Sequence, residues 1–247
     1  MSRAIIDADT YIYKASVMCK ELVDLGNGIY YEAYNINKAR EYLTEIMKSL
    51  TVKVGCTEYV MVTGGIGKNF RYLINPQYKS NRKQQAKPLM LDLVRDMCFK
   101  EFPMVYIPCL EADDTCRILL EEDKNNVVVS IDKDLRTFSG KIYDSYHDKF
   151  NYISPEQAEA NFKRQLLIGD KVDGFSGLRG IGKATADKLL LEGITIDEIA
   201  ELYVSKGYTL DDFELVYNCA KILGKEDYKD GIITLYGGKK LDVRNNQ

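Results

Sequence analysis

The segment Val127-Val128-Val129-Ser130-Ile131-Asp132-Lys133-Asp134 frames the reading of the whole chain. A short apolar run reads as a strand, and acids follow it at once. The pattern recurs at Ala4–Ile6, followed by Asp7, and at Met104–Ile107, followed by Glu111-Ala112-Asp113-Asp114. A fourth run, Tyr59–Val62, leads instead into Thr63-Gly64-Gly65-Ile66-Gly67, with no acid. Amphipathic stretches lie between the runs. One covers Asn37–Leu50, with Leu43, Ile46, Met47 and Leu50 on one face; another runs from Pro88, a favoured first helical position, to about Lys100. A third follows Glu111 to about Glu122. This alternation predicts an α/β fold, a parallel sheet covered by helices.

The last third reads as helical. Ser154-Pro155-Glu156-Gln157 is a capping-box pattern opening a helix that ends near Ile168. A glycine-rich segment follows, with Gly169, Gly174, Gly177, Gly180 and Gly182, and then a helix from Lys183 to Leu191. Thr195 and Thr209 start two more helices, the last ending near Gly224, and the tail from Gly231 reads as a short strand that then frays. The boundary between the two parts falls near Asn151–Ser154, which gives regions 1–152 and 153–247.

The placement of the acids carries the chemistry. In an open parallel sheet the carboxyl ends of the strands share one crevice. Asp7, Glu111, Asp113, Asp114, Asp132 and Asp134 would meet there. Carboxylates a few ångströms apart raise one another's pKa unless a cation relieves them. Hard divalent ions prefer oxygen ligands, and a pair of them is a known device for cleaving phosphodiesters. Asp9 is placed to join them as well, but reads first as a cap on the helix after the first strand.

Two features suit phosphate contact. Between Lys68 and Lys87 lie Lys68, Arg71, Lys79, Arg82, Lys83 and Lys87 with no acid among them, and Phe70, Tyr72 and Tyr78 are interleaved. Such a window can neutralise phosphates and stack on bases. The glycine-rich segment delivers backbone amides to a helix start near Gly182, where Lys183 and Thr185 add contacts. Asp170 and Asp173 lie in the same segment. No strand precedes this glycine run, which disfavours a Rossmann nucleotide loop.

Composition excludes several classes. The 247 residues hold 34 Lys and Arg against 37 Asp and Glu, a net charge of -3 that by itself argues against a nucleic-acid binder. The single histidine, His147, cannot build a multi-histidine zinc site and reads as a solvated loop residue. Six cysteines without a C-x-x-C pair read as reduced thiols of a cytosolic protein. No apolar run is long enough to span a membrane, and the first residues do not read as a signal peptide.

Taken in order, Ile5-Ile6-Asp7-Ala8-Asp9, Asn69-Phe70-Arg71, Pro76-x-Tyr78-Lys79-x-Asn81-Arg82, Glu111-Ala112-Asp113-Asp114, Ser130-x-Asp132-Lys133-Asp134 and Gly169-Asp170-x-x-Asp173 running into Gly180-Ile181-Gly182 resemble the 5′→3′ exonuclease and flap-endonuclease superfamily, in particular its T-odd bacteriophage members. The resemblance implies a PIN-like α/β domain, helices on both sheet faces, and a helix-three-turn-helix motif at about 160–192 that grips duplex DNA. It implies a first Mg²⁺ held by Asp7, Glu111 and Asp113 with Asp114 nearby, and a second held by Asp132, Asp134 and Asp173 with Asp170 close, Mn²⁺ substituting for either. Lys79 and Arg82 would meet the scissile phosphate, and Lys68, Arg71, Lys83, Gly177, Gly180, Gly182, Lys183 and Thr185 would grip DNA. A K⁺ ion would sit in the Gly174–Gly182 hairpin.

The implied activity is Mg²⁺-dependent 5′→3′ cleavage at duplex ends or flaps, serving replication, primer removal or recombination, with RNA–DNA hybrids as a further substrate. The implied setting is the host cytoplasm. Many members carry an aspartate after the second strand where this chain has none. That departure motivates an alternative, a non-catalytic duplex-binding module of the same fold. A PIN-type ribonuclease is the other alternative.

Overall fold

The computed structural model describes residues 2–64, 67–80, 86–132 and 134–244. The chain runs through β1 (Arg3–Asp7), α1 (Asp9–Met18), a hairpin of β2 (Lys20–Asp24) and β3 (Tyr30–Tyr34), α2 (Ile36–Lys53), β4 (Glu58–Val62), α3 (Phe70–Ile74) and α4 (Leu91–Glu101). It continues through β5 (Met104–Val105), α5 (Ala112–Leu120), β6 (Val127–Ser130), a 3-10 turn at Asp134–Thr137, β7 (Gly140–Asp144) and β8 (Lys149–Ile153). Then come α6 (Pro155–Ile168), the short strands β9 (Gly169–Asp170) and β10 (Phe175–Ser176), α7 (Lys183–Leu191), α8 (Ile196–Ser205) and α9 (Leu210–Ala220). Strands β11 (Tyr228–Lys229), β12 (Ile232–Thr234) and β13 (Lys240–Asp242) close the chain.

The main sheet has the order β5-β4-β1-β6-β7-β8, parallel from β5 to β7, with β8 antiparallel at the edge. The chain leaves β1 toward β4 on one side and reaches β6 on the other, so the order reverses between β1 and β6. Ligands of open parallel sheets bind at such a reversal, beyond the carboxyl ends of the strands. Asp7 ends β1, and Asp132 follows β6.

The two-residue period of the strands sorts side chains onto two cores. Ala4, Ile6, Met61, Val127 and Val129 pack against α1, α2 and α4. Ile5, Val60, Val62 and Val128 pack against Ala112, Cys116 and Leu119 of α5. A third cluster joins α6 through α9, and Tyr78 is buried in it. The proposed boundary near Asn151–Ser154 is crossed by packing, since Ile222 joins the sheet cluster and Leu223, Ile233 and Val243 pack with Phe70.

Several expected elements differ in detail. The tail forms β12 and β13, with Ile233 and Val243 buried, so it docks where fraying was expected. The run Met104–Ile107 pairs at two residues, and Cys109, with φ of 65°, turns the chain toward α5. The last long helix stops at Ala220, short of Gly224. No helix of the described residues is long and apolar enough to cross a membrane, and all six cysteines are free thiols.

Candidate active site

Asp7, Glu111, Asp113, Asp132, Asp170 and Asp173 stand at one end of the sheet. All but Asp7 line a cavity of about 190 Å³, together with Lys79, Tyr78 and Gln165. Asp7, at the end of β1, is half-buried and accepts a hydrogen bond from Ser130 Oγ at 2.9 Å. Burial, and then the charge of Asp9, pushes the Asp7 carboxyl up to about 7. Burial, followed by the charges of Asp7 and Asp132, drives Asp113 well above the usual carboxylate range. The thiol of Cys116 is pushed up by burial and by the charges of Asp7 and Asp113, so it stays protonated behind the acids.

Glu111 behaves in the opposite way. It is the N-cap of α5, in a capping box with Asp114. Burial works against its ionisation, but Arg71 and Lys79 hold its carboxyl below the usual range. Lys79 Nζ lies 2.5 Å from Glu111 Oε1 and 3.8 Å from Asp173 Oδ2. Lys79 is held there from its backbone, since its N–H donates to Asp173 O at 2.9 Å and its φ is 55°, a left-handed conformation unusual for a side chain of this size. Asn69 Nδ2 donates to Glu111 Oε1 at 2.9 Å.

The donor set is made of oxygens, and an ammonium group already neutralises part of it. Both observations fit a hard divalent cation. Among the described residues no three acidic, thiol or imidazole side chains converge closely enough to coordinate an ion by themselves. Lys79 is the cation that stands between Glu111 and Asp173.

Other expected site residues are placed differently. Asp114, expected near a metal, is fully buried and faces away from the cavity. Its oxygens take Arg71 Nη1 and Nη2, each at 2.8 Å, and the backbone N–H groups of Leu223 and Glu111. Arg71, expected on DNA, is 2% exposed and also donates to Cys219 O and Lys221 O. The pair therefore locks α3 and α5 to the end of α9, and Arg71, which also lines the acidic cavity 3.3 Å from Glu111 Oε2, is committed there to acids of its own chain. Tyr78, expected to stack on bases, is buried, and its hydroxyl sits 3.0 Å from both Glu111 Oε2 and Asp173 Oδ2. Gly177 is also buried; a Cβ there would lie 2.3 Å from Ile168 C, so this glycine permits backbone packing and is not open to a phosphate.

Exposed positions remain for a grip. Gly180, Gly182, Lys183 and Thr185 are all exposed, and Gly182 is the N-cap of α7. Arg164 binds Asp187 at 2.8–2.9 Å and fixes α7 against α6. Lys68 is exposed as well. Arg82, Lys83 and the side chain of Asp134 lie outside the described residues. His147 is exposed beside Asp144, as a solvated loop residue would be.

Sequence reasoning missed Asn69, Ser130 and Thr63 as partners of the acids. It also took Asp9 for a cap. Asp9 is the first residue of α1 after Ala8, and its side chain makes no cap bond; it accepts from Thr63 Oγ1 at 2.5 Å and from Gly64 N at 3.2 Å. The spacing Asp7-x-Asp9 was the available signal.

No protein-family model matches the chain. It is 25% identical to an exodeoxyribonuclease of Enterobacteria phage T3 over 89% of this chain and 80% of that protein. It is 26% identical to an exonuclease of Escherichia phage T7 over 75% of this chain and 65% of that one. Among solved structures, the D15 protein of phage T5 crystallised with metal ions superposes with a TM-score of 0.66 at 18% identity, covering 90% of this chain and 89% of that one. The T5 D15 flap endonuclease in a complex with DNA and metal ions gives a TM-score of 0.62 at 18% identity, covering 88% and 89%.

A parallel sheet whose strand order reverses at a crevice of carboxylates, with a helical region beside it, is the arrangement of a class that the chain resembles in sequence and fold, the 5′→3′ exonucleases and flap endonucleases. The relatives named above are phage nucleases.

Proposed function

We propose that this protein is a divalent-metal-dependent 5′ nuclease that hydrolyses phosphodiesters of DNA at duplex ends or flap junctions. The observation that carries the proposal is one cavity lined by Glu111, Asp113, Asp132, Asp170 and Asp173 at the carboxyl end of the sheet, with Lys79 among them and Asp7 ending β1 at the strand-order reversal. In this reading Asp7, Glu111 and Asp113 hold one Mg²⁺, and Asp132, Asp134 and Asp173 hold a second, with Asp170 beside it. Bound there, the ions supply Lewis-acid stabilisation of a phosphodiester's developing charge and lower the pKa of water.

The chain's own residues do the rest. Lys79 can pass from Glu111 to a phosphate once the acids are otherwise neutralised, and Arg82 and Lys83 add positive charge to the same stretch. The exposed start of α7 at Gly180, Gly182, Lys183 and Thr185, with Lys68, grips the duplex backbone without reading sequence. Residues 160–192 are then the helix-three-turn-helix motif of region 153–247, region 1–152 carries the chemistry, and K⁺ occupies the Gly174–Gly182 hairpin. The likeness to phage nucleases supports a role in replication, primer removal or recombination in a host cytoplasm, and RNA–DNA hybrids are included as a test substrate.

End-labelled 5′-flap, blunt, nicked and hybrid substrates test the reading. Short 5′-terminal products are expected in Mg²⁺ and none in EDTA. Asp132→Asn is expected to lower the rate at least ~100-fold, and equal rates for variant and wild type would refute the mechanism. The absence of an acid in the described residues after β4 favours a second reading, a duplex-binding module without turnover. It predicts salt-dependent binding and no product in Mg²⁺ or Mn²⁺.

A further inference from the structure

The acidic cavity continues beyond Asp170. Gln165 and Asp170 also line a second cavity, of about 300 Å³, and Asn161 and Arg164 of that one line a third, of about 460 Å³. The three adjoin in that order along one helix. Gln157, Asn161, Arg164, Gln165 and Ile168 recur at helical spacing on one face of α6, while Ala158, Phe162 and Leu166 are buried on the other. From Gln157 to Ile168 that face runs about 16 Å, the length of roughly four stacked nucleotides at ~3.4 Å each.

The chemistry changes along the way. Past Asp170, the charged residues lining the second and third cavities are Arg136 and Arg164. Arg136 sits on the 3-10 turn that follows Asp132, and Asn161 Nδ2 donates to its main-chain O at 2.9 Å, which pins that turn to α6. Its side chain is half-exposed and stands 3.8 Å from Asp144, whose carboxylate already holds His147 Nδ1 at 2.8 Å. Arg164 spends three of its five N–H groups on Asp187 and Asn161, so it is held still beside the cavity it lines. At the far end is β8, the edge strand of the sheet. Tyr152 is 69% exposed there, and its ring lies 6.2 Å from that of Phe150, with 26° between the planes. Lys141 Nζ stands 5.0 Å from the Phe150 ring and 6.0 Å from that of Tyr152. Cations followed by flat rings are complementary to the two parts of a nucleotide, its phosphate and its base.

We propose that the three cavities form one track and that an unpaired DNA strand of the substrate lies along it, with phosphates on Arg136 and Arg164 and a base against Tyr152. The proposal rests on the nuclease reading and deepens it, by giving the single strand of a flap a path along α6 to the acids.

The test measures binding of the full chain to a labelled 5′-flap and to a blunt duplex, by fluorescence anisotropy in EDTA at several KCl concentrations. Tyr152→Ala is expected to weaken flap binding at least ~5-fold, and Tyr152→Phe, which keeps the ring, to leave it near wild type. Arg136→Gln is expected to lower the salt slope of log K for the flap by about 0.7, the share of one single-strand phosphate. A blunt duplex has no unpaired strand, so its affinity should not follow these losses. A second measurement needs no variant. A flap carrying 5-iodouracil in its single strand, irradiated in complex with the wild type, is expected to cross-link to the tryptic peptide 150–163, which holds Tyr152. Cross-links confined to other peptides would overturn the track and leave the nuclease reading standing. So would flap affinities and salt slopes of Tyr152→Ala and Arg136→Gln equal to those of wild type, or losses as large on the blunt duplex as on the flap. A wild type that cleaves no flap in Mg²⁺ would sink the nuclease reading, and the track with it.

Discussion

Arg71 and Asp114 show how a residue's partner decides its role. Both were expected at the ligand: one sits in a basic window, the other beside two catalytic-looking acids. They bind each other instead, in a bidentate pair almost without solvent. Removing one partner leaves the other charge buried alone, which costs about 3–5 kcal/mol. Arg71→Met and Asp114→Asn are each expected to lower the melting temperature by roughly 10 °C for a chain of this size. Duplex affinity measured below the transition should stay near wild type; a variant that melts like wild type and loses affinity would restore Arg71 to the DNA contacts. The acids of the cavity were legible in the sequence where strand ends place them, at Glu111, Asp113 and Asp132. It was illegible where an adjacent acid is aimed by helix geometry. Asp114 follows Asp113 directly, but about 100° around α5, which turns it from the cavity to Arg71.

Among the elements, α7 offers the clearest functional surface. Its N-terminus is exposed, its first turn holds no acid, and Arg164 braces it against α6. A lysine on a phosphate acts through counterion release, so Lys183→Ala is expected to weaken binding to any duplex sequence alike and to reduce the salt slope of log K by about 1. Titrating labelled duplex at several KCl concentrations measures both; an unchanged slope would remove α7 from the interface. The α-helices of the last third were readable because their caps are local. Ser154 with Gln157, Thr195 with Glu198 and Thr209 with Asp212 form the capping boxes their spacing suggests. The hairpin of β2 and β3 and the short helix α3 were not readable. In the hairpin, Leu22, Tyr30 and Tyr34 are exposed, so polarity does not mark its outer face. α3 has five residues, too few for a helical period to register, and Phe70 and Arg71 are buried by contacts from distant segments.

At the scale of the whole molecule, a net charge of -3 hides a local excess: five acids line one cavity against two cations, Arg71 and Lys79. This distribution makes stability depend on pH and metal together. Asp7 and Asp113 have folded-state pKa values raised above their unfolded values, chiefly by burial and then by neighbouring acids. Above pH ~4 the unfolded chain has released these protons and the folded chain still holds them, so rising pH favours unfolding. The contribution is fully present below the unfolded pKa, and that of Asp7 is lost as pH passes about 7. Glu111 has the opposite sign, its carboxyl being held low, and it costs stability only as pH falls below the ordinary glutamate range. Between pH 5 and 8 the raised groups therefore dominate the direction of the change. In EDTA the melting temperature is expected to fall by several degrees from pH 5 to pH 8. In saturating Mg²⁺ the slope should flatten or reverse, because the ion binds the ionised acids and adds its binding energy to the folded state alone. Parallel pH profiles with and without Mg²⁺, displaced by a constant amount, would mean that the ion binds without engaging Asp7 and Asp113, and the first metal site would have to be sought elsewhere in the crevice.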